Sequence, residues 1–276
     1  MKSLVTRTLS GGIYAVVMVA GMIIHPLLFA VVFGLVTIFT LLEFYQLATL
    51  AGGEPHKCGG AVTALIFFGV VFAYAAGYLP LQSLGILPLL PLLLLITELY
   101  RKKKNPLANM AYTLAGFLYV VIPMSLGSLL IFPRMEETHL FYPWILVGGV
   151  VTIWLFDSGA YLIGTAFGKH RLFERISPKK SWEGVIGGGI TALLTGMVNT
   201  RLFPVLEGTQ WMVISLIVIL FGTWGDLVES MMKRSLGIKD SGNILPGHGG
   251  FLDRFDSYLM VVPVVVMWLW ITGVLT

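Results

Sequence analysis

Apolar runs of about 20 residues recur from one end of this 276-residue chain to the other, broken only by short charged, proline or glycine-rich stretches. In hydrocarbon every backbone N–H and C=O must find its partner within the protein, so such runs fold either as helices or as a closed barrel. Barrel strands alternate apolar and polar residues, whereas these runs are continuously apolar, which selects helices. The composition agrees, with 57% hydrophobic and 12% charged residues and a mean hydropathy of +0.87. The expectation is an all-α, polytopic integral membrane protein without a separate soluble domain.

Cutting at the polar breaks places spans near 8–24, 27–49, 60–79, 83–100, 107–132, 143–168, 183–203, 211–232 and 255–275. Nine spans put every Lys and Arg on one side except Arg134 and Arg201, the asymmetry expected of a cytoplasmic N-terminus and an outside C-terminus. About five spans then fall in 1–135 and four in 136–276, with cytoplasmic loops at 169–182 and 233–254. The net charge of +4 reflects this topology and an anionic ligand at the inner face; no nucleic-acid partner is expected. The first apolar run lacks a small-residue cleavage site and reads as a retained span. A lone cysteine, Cys58, excludes intrachain disulfides and multi-cysteine metal sites. Gly187 to Gly189 read as a helix-packing surface, and Arg101 to Lys104 as a stop-transfer and headgroup patch.

Acids inside spans are costly and therefore informative. Glu43 and Glu98 lie near helix ends, where snorkelling or a Tyr or Arg partner would satisfy them. Asp226 is different: Glu229, Ser230 and Lys233 follow it at i+3, i+4 and i+7, a polar stripe leading into the most charged segment of the chain, Ser230 to Asp256. Beyond that loop Asp253 and Asp256 open the last span, spaced for a helix cap. If the last two spans are antiparallel neighbours, Asp226, Asp253 and Asp256 can converge. Three oxygen ligands without cysteine favour Mg²⁺. Between them Gly249 and Gly250 permit close backbone approach to a ligand, His248 orients the turn, and Lys233, Arg234 and Lys239 suit phosphate oxygens.

A second cluster comprises Asp157 in the sixth span and the segment Ser177 to Gly184. Ser177 or Ser181 with Glu183 would cap a helix, and that helix end, flanked by Lys179 and Lys180, is an anion site. Bases for phosphate, acids for metal and glycines for approach together suggest phosphoryl or nucleotidyl transfer at the inner membrane face.

Ser230, Lys233-Arg234, Lys239-Asp240, Gly242, Leu245-Pro246, His248-Gly249-Gly250, Asp253-Arg254 and Asp256, in this spacing, resemble the signature of the phosphatidate cytidylyltransferases, or CDP-diacylglycerol synthases. The Asp157 cluster and Ser177 to Gly184 resemble that family too, and the first half resembles it in hydropathy alone. The resemblance implies a reaction of CTP with phosphatidic acid that yields CDP-diacylglycerol and pyrophosphate. It also implies a multi-pass protein of the cell membrane, a site facing the cytoplasm, Mg²⁺ with K⁺ as a second cation, and a homodimer. By the same resemblance Asp226, Asp253 and Asp256 hold metal, and Lys233, Arg234, Lys239, Asp240, His248 and Arg254 serve the phosphates and the reaction. Asp157, Lys179, Lys180, Ser181, Glu183, Gly249 and Gly250 would bind nucleotide. Three rival readings stand beside it: a CTP-dependent polyprenol or phytol kinase, which the full match from Ser230 to Asp256 argues against; a CDP-alcohol phosphotransferase, whose Asp-Gly-x-x-Ala-Arg element is not found here; and a secondary transporter with an intramembrane cation site, which leaves the Lys, Arg and Gly of the cytoplasmic loops unexplained.

Overall fold

The computed structural model describes residues 2–133, 140–242, 244, 247 and 249–275, and the side chains from Ser10 onward. The chain is a bundle of helices: α1 Lys2–Ile23, α2 Pro26–Leu50, α3 Lys57–Ala75, α4 Leu89–Arg101, α5 Pro106–Gly116, α6 Ile122–Leu126, α7 Trp144–Phe167, α8 Trp182–Leu202, α9 Gly208–Ile217, α10 Thr223–Ser235 and α11 Leu252–Ile271. A 3₁₀ turn, Leu81–Ile86, precedes α4. The π turns Phe117–Val121 and Val218–Gly222 fuse α5 to α6 and α9 to α10 into longer rods.

Seven rods among the described residues are long and apolar enough to cross a membrane: Pro26–Leu50, Lys57–Ala75, Leu81–Arg101, Pro106–Leu130, Trp144–Phe167, Gly208–Ser235 and Leu252–Ile271. Each coincides with one of the nine expected spans. The other two expected spans are helical as well, but the apolar stretch of α1 is short, Ser10–Ile23. In α8 three consecutive glycines, Asn199 and Arg201 dilute the hydropathy.

Local chemistry fixes the helix ends. Pro26 opens α2, and the Leu27 N–H donates to His25 Nδ1 at 3.2 Å. The Gly59 N–H donates to His56 Nδ1 at 3.1 Å at the start of α3, and the Gly184 N–H to Ser181 Oγ at 3.1 Å at the start of α8. One departure from an all-α reading is a small antiparallel hairpin, β1 Arg171–Phe173 paired with β2 Ser177–Ser181, which fills the connection between α7 and α8. Charges crowd this connection too densely for a buried helix, and Pro178 denies it a continuous one.

The core is aromatic and aliphatic. Phe29 stacks on Phe33, Phe68 and Phe72 between α2 and α3, and Trp211 is wholly buried with its Nε1–H donated to the Phe203 carbonyl at 3.1 Å. Leu99, Leu107 and Leu118 point outward, the distribution of a protein whose solvent is lipid. The expected packing role of the glycine run holds. A Cβ on Gly188 would lie 2.7 Å from the Phe156 carbonyl, so α8 lies directly against the backbone of α7.

Glu98 has the Arg partner expected of it, Arg101 Nη1 at 2.6 Å, and a second donor in Asn109 Nδ2 at 2.8 Å. Arg101 also donates to the Glu54 carbonyl at 2.9 Å, clamping the 51–56 connection to the end of α4. Lys103 beside Glu54 holds that carboxyl below the usual range, while burial, with Arg101 second, pushes the His56 imidazole down.

Candidate active site

α10 and α11 are antiparallel neighbours, and their register sets the site. Ser257 Oγ donates to the Gly222 carbonyl at 3.2 Å, Gly225 lies against the Asp256 carbonyl, and Lys233 Nζ reaches Asp253 Oδ1 at 2.6 Å. Numbers rise along one helix as they fall along the other, so the polar stripe of α10 faces the acids of α11. Ser230 Oγ donates to Asp226 Oδ1 at 3.1 Å, as the i, i+4 spacing requires.

The register separates the three acids into two groups. Asp226 and Asp256 lie in electrostatic reach of each other, of Asp157 on α7 and of Lys180. Asp253 stands one turn away with both oxygens engaged: Oδ1 with Lys233, and Oδ2 with Ser241 Oγ at 2.9 Å, the Ser241 N–H at 3.0 Å and the Gly250 N–H at 2.8 Å. Lys233 is buried between Asp253 and Glu229, pairing with both. It faces carboxylates because the i+4 spacing from Glu229 points it inward. Among the described residues no three His, Cys, Asp or Glu side chains form a group that could by itself hold a metal ion.

A salt bridge also joins the second cluster to the first. Lys180 Nζ on β2 lies 2.5 Å from Asp226 Oδ2. Ser181, the next residue, caps α8. Glu183 turns back on the hairpin, where its carboxylate accepts the Lys169 N–H at 3.1 Å, the His170 N–H at 3.2 Å and a contact from His170 Nδ1 at 2.6 Å. Lys179, Lys239 and Asp240 are exposed, and Arg234 Nη1 donates to the Ile238 carbonyl at 2.9 Å, closing the turn after α10. Arg254 is exposed on the first turn of α11, within electrostatic reach of Asp157. Gly249 has φ +79°, and a Cβ there would sit 2.6 Å from Asp253 Oδ2, so only glycine lets this turn wrap the acid. His248 lies outside the described residues, as do Leu245 and Pro246.

Glu43 is the residue that the sequence pattern undervalues. It is 3% exposed, and its partners are not the Tyr or Arg expected: its Oε2 accepts the Leu252 N–H at 2.8 Å and the Ser241 hydroxyl at 3.3 Å. An acid two-thirds of the way along α2 therefore reaches the loop before α11. Its intramembrane position was the only signal for this in the sequence.

Comparison with known proteins gives the chain its family. The model of the cytidylyltransferase family matches residues 5–272, so the similarity extends well beyond the C-terminal motifs into the half that resembled the family only in hydropathy. A protein of Haemophilus influenzae named phosphatidate cytidylyltransferase is 35% identical over 273 residues, covering 90% of this chain and 92% of the relative. Proteins of the same name are 42% identical over 161 residues in Staphylococcus saprophyticus, 58% of this chain and 56% of the relative, and 46% identical over 135 residues in Staphylococcus aureus, 48% and 49%. With the match running through nearly every helix that builds the site, the chain belongs to the cytidylyltransferase family.

Proposed function

We infer that the chain is a phosphatidate cytidylyltransferase: a phosphate oxygen of phosphatidic acid bonds to the α-phosphorus of CTP, pyrophosphate leaves, and CDP-diacylglycerol is formed. Family membership and the names of the relatives support the reaction. Within the fold, the observation that carries it is the contact of Lys180 with Asp226, which draws the two polar segments into one site.

The residues divide the work by what they touch. Lys180 sits where a phosphate would meet the carboxylates, and the capped N-terminus of α8 beside it offers the positive end of its dipole to nucleotide phosphates. Exposed Lys179, Lys239 and Arg254 add positive charge for the triphosphate and for the lipid headgroup. Asp226 and Asp256 are an oxygen-only pair of the kind that holds Mg²⁺ together with substrate phosphates, with Asp157 alongside. Asp253 is committed to Lys233, Ser241 and Gly250, so it shapes the site without ligating. A cation there would neutralise the charge that develops on the phosphates. The lipid supplies the nucleophile, and no side chain needs to be covalently modified.

Topology supports a cytoplasmic site. If α1 and α8 cross along with the seven apolar rods, the connections 51–56, 102–105, 168–181 and 236–251 all fall on the side that holds nearly all the Lys and Arg. On the same side Arg101 ties the end of α4 to the 51–56 connection, and Lys180 ties the 168–181 connection to α10. CTP is soluble and would enter from this side, while phosphatidate would arrive within the bilayer as the partner substrate. A homodimer completes the proposal.

Release of pyrophosphate by purified protein in detergent, with CTP and phosphatidic acid supplied together or singly and with Mg²⁺ present or chelated, tests the reading. Release that needs both substrates and the metal is the expected result. Formation of CDP from a polyprenol acceptor, or no turnover, overturns it.

A further inference from the structure

We propose that Glu43 is a positioning residue for nucleotidyl transfer, the post from the N-terminal half that seats Ser241, Gly242, Gly250 and the Leu252 amide. The inference rests on the cytidylyltransferase reading of the site and deepens it.

Five side chains and one backbone amide, from four parts of the fold, form one continuous chain of contacts. On α10 Glu229 pairs with Lys233, and Lys233 pairs with Asp253 on α11. Ser241 in the loop donates its hydroxyl toward both Asp253 Oδ2, at 2.9 Å, and Glu43 Oε2, at 3.3 Å. Glu43 Oε2 then accepts the Leu252 N–H at 2.8 Å, one of the otherwise unpaired donors at the start of α11. The helix that carries Asp256 thus begins on a carboxylate supplied by α2.

The loop is shaped to admit that carboxylate. A Cβ on Gly242 or on Gly250 would overlap the Glu43 side chain, so both glycines are places where the loop backbone lies on the acid itself. Glu43 Oε1 is buried with no hydrogen-bond partner among the described residues. A carboxylate buried at 3% exposure costs stability unless its partners repay the lost water. It is therefore poorly explained as filler, and well explained as the group that fixes where the loop ends and α11 starts. Asp253 and Asp256 are the next acids along α11, so a shift of the Leu252 amide carries through to both.

The experiment compares Glu43→Ala and Glu43→Gln in the full-length membrane protein, with Gly242→Ala as a third variant that presses on the same carboxylate. Three readouts are taken: kcat and KM for CTP and phosphatidate, the thermal midpoint, and hydrogen exchange of the amides of Ser241, Gly250 and Leu252. Glu43→Ala is expected to lower kcat about 100-fold, with KM for each substrate within about threefold and faster exchange at those three amides. Glu43→Gln keeps an acceptor for the Leu252 amide and is expected to recover kcat to within about tenfold of wild type, with wild-type exchange. Gly242→Ala is expected to lower kcat and speed exchange as Glu43→Ala does, and it carries the test if Glu43→Ala does not fold. The proposal is overturned if Glu43→Ala, or Gly242→Ala in its place, folds with kcat within twofold of wild type and unchanged exchange. It is overturned equally if Glu43→Gln is as inactive as Glu43→Ala while its loop exchanges as in wild type, because the charge would then act directly. Loop exchange reports on positioning even if wild-type protein turns over another substrate, so failure of the substrate reading and failure of this one remain distinguishable.

Discussion

Lys180 and Asp226 meet at 2.5 Å across a gap in sequence that contains all of α8 and α9. Their contact closes the site between the hairpin and α10. Lys180→Ala removes the cation from this junction and leaves Asp226 facing Asp256 without it. The expected loss in kcat/KM is about 100-fold, the usual order for a charged group aimed at developing phosphate charge, and Lys180→Arg recovers part of it. Pyrophosphate release under saturating and limiting CTP checks both.

Asp253 and Asp256 are three residues apart and should fail in different ways. Asp253→Asn strips Lys233 of one of its two buried carboxylate partners, at an expected cost of about 3–5 kcal/mol in stability, read as a lower unfolding midpoint. Asp256→Asn is expected to leave the midpoint close to wild type and to raise the Mg²⁺ concentration for half-maximal activity at least tenfold, on the order of one lost carboxylate ligand. A Mg²⁺ titration of the two variants side by side separates the roles, and identical titrations would remove Asp256 from the proposed metal site.

His56 caps α3 through an unprotonated Nδ1, and burial lowers its pKa. The folded form binds the proton less well than the unfolded form, so the stabilisation is present above the unfolded value of about 6.5 and is lost as pH falls through the lower folded value. Thermal midpoints measured from pH 7.5 down to pH 5 should drop more steeply in wild type than in His56→Asn, which retains a capping oxygen without titrating.

Gly188→Leu drives a side chain into the backbone of α7, where even a Cβ would sit 2.7 Å from the Phe156 carbonyl. Overpacking of this kind costs about 1–3 kcal/mol or more where backbone must move. Reduced yield of folded protein and a lower midpoint are the expected outcomes, with Asp157 displaced because it follows Phe156 on the same helix.

The sequence made the helices legible because a bilayer demands the same thing everywhere, a long apolar run. It made the α10 stripe legible because Asp226, Ser230 and Lys233 obey helical spacing. The hairpin was less visible: Arg171 to Ser181 is dense in charge, and its strands are too short to show alternation. The separation of Asp253 from Asp226 and Asp256 was hidden as well, since it depends on the register of two helices and on the loop amides that claim the Asp253 oxygens. Glu43 was misjudged for a related reason. Its partners, Ser241 and Leu252, lie at the other end of the chain, and no periodicity in α2 refers to them.

The distance between Glu43 and Leu252 along the chain, 209 residues, also has a consequence for biogenesis. At about 5–20 residues per second, the ribosome needs about 10–40 s to travel from one to the other. Throughout that interval α2 carries its acid without the amide and hydroxyl that will receive it, so the nascent bundle must keep the group protonated or wet until the last helix arrives. Arrival of α11 is then the event that gives this buried acid its backbone partner.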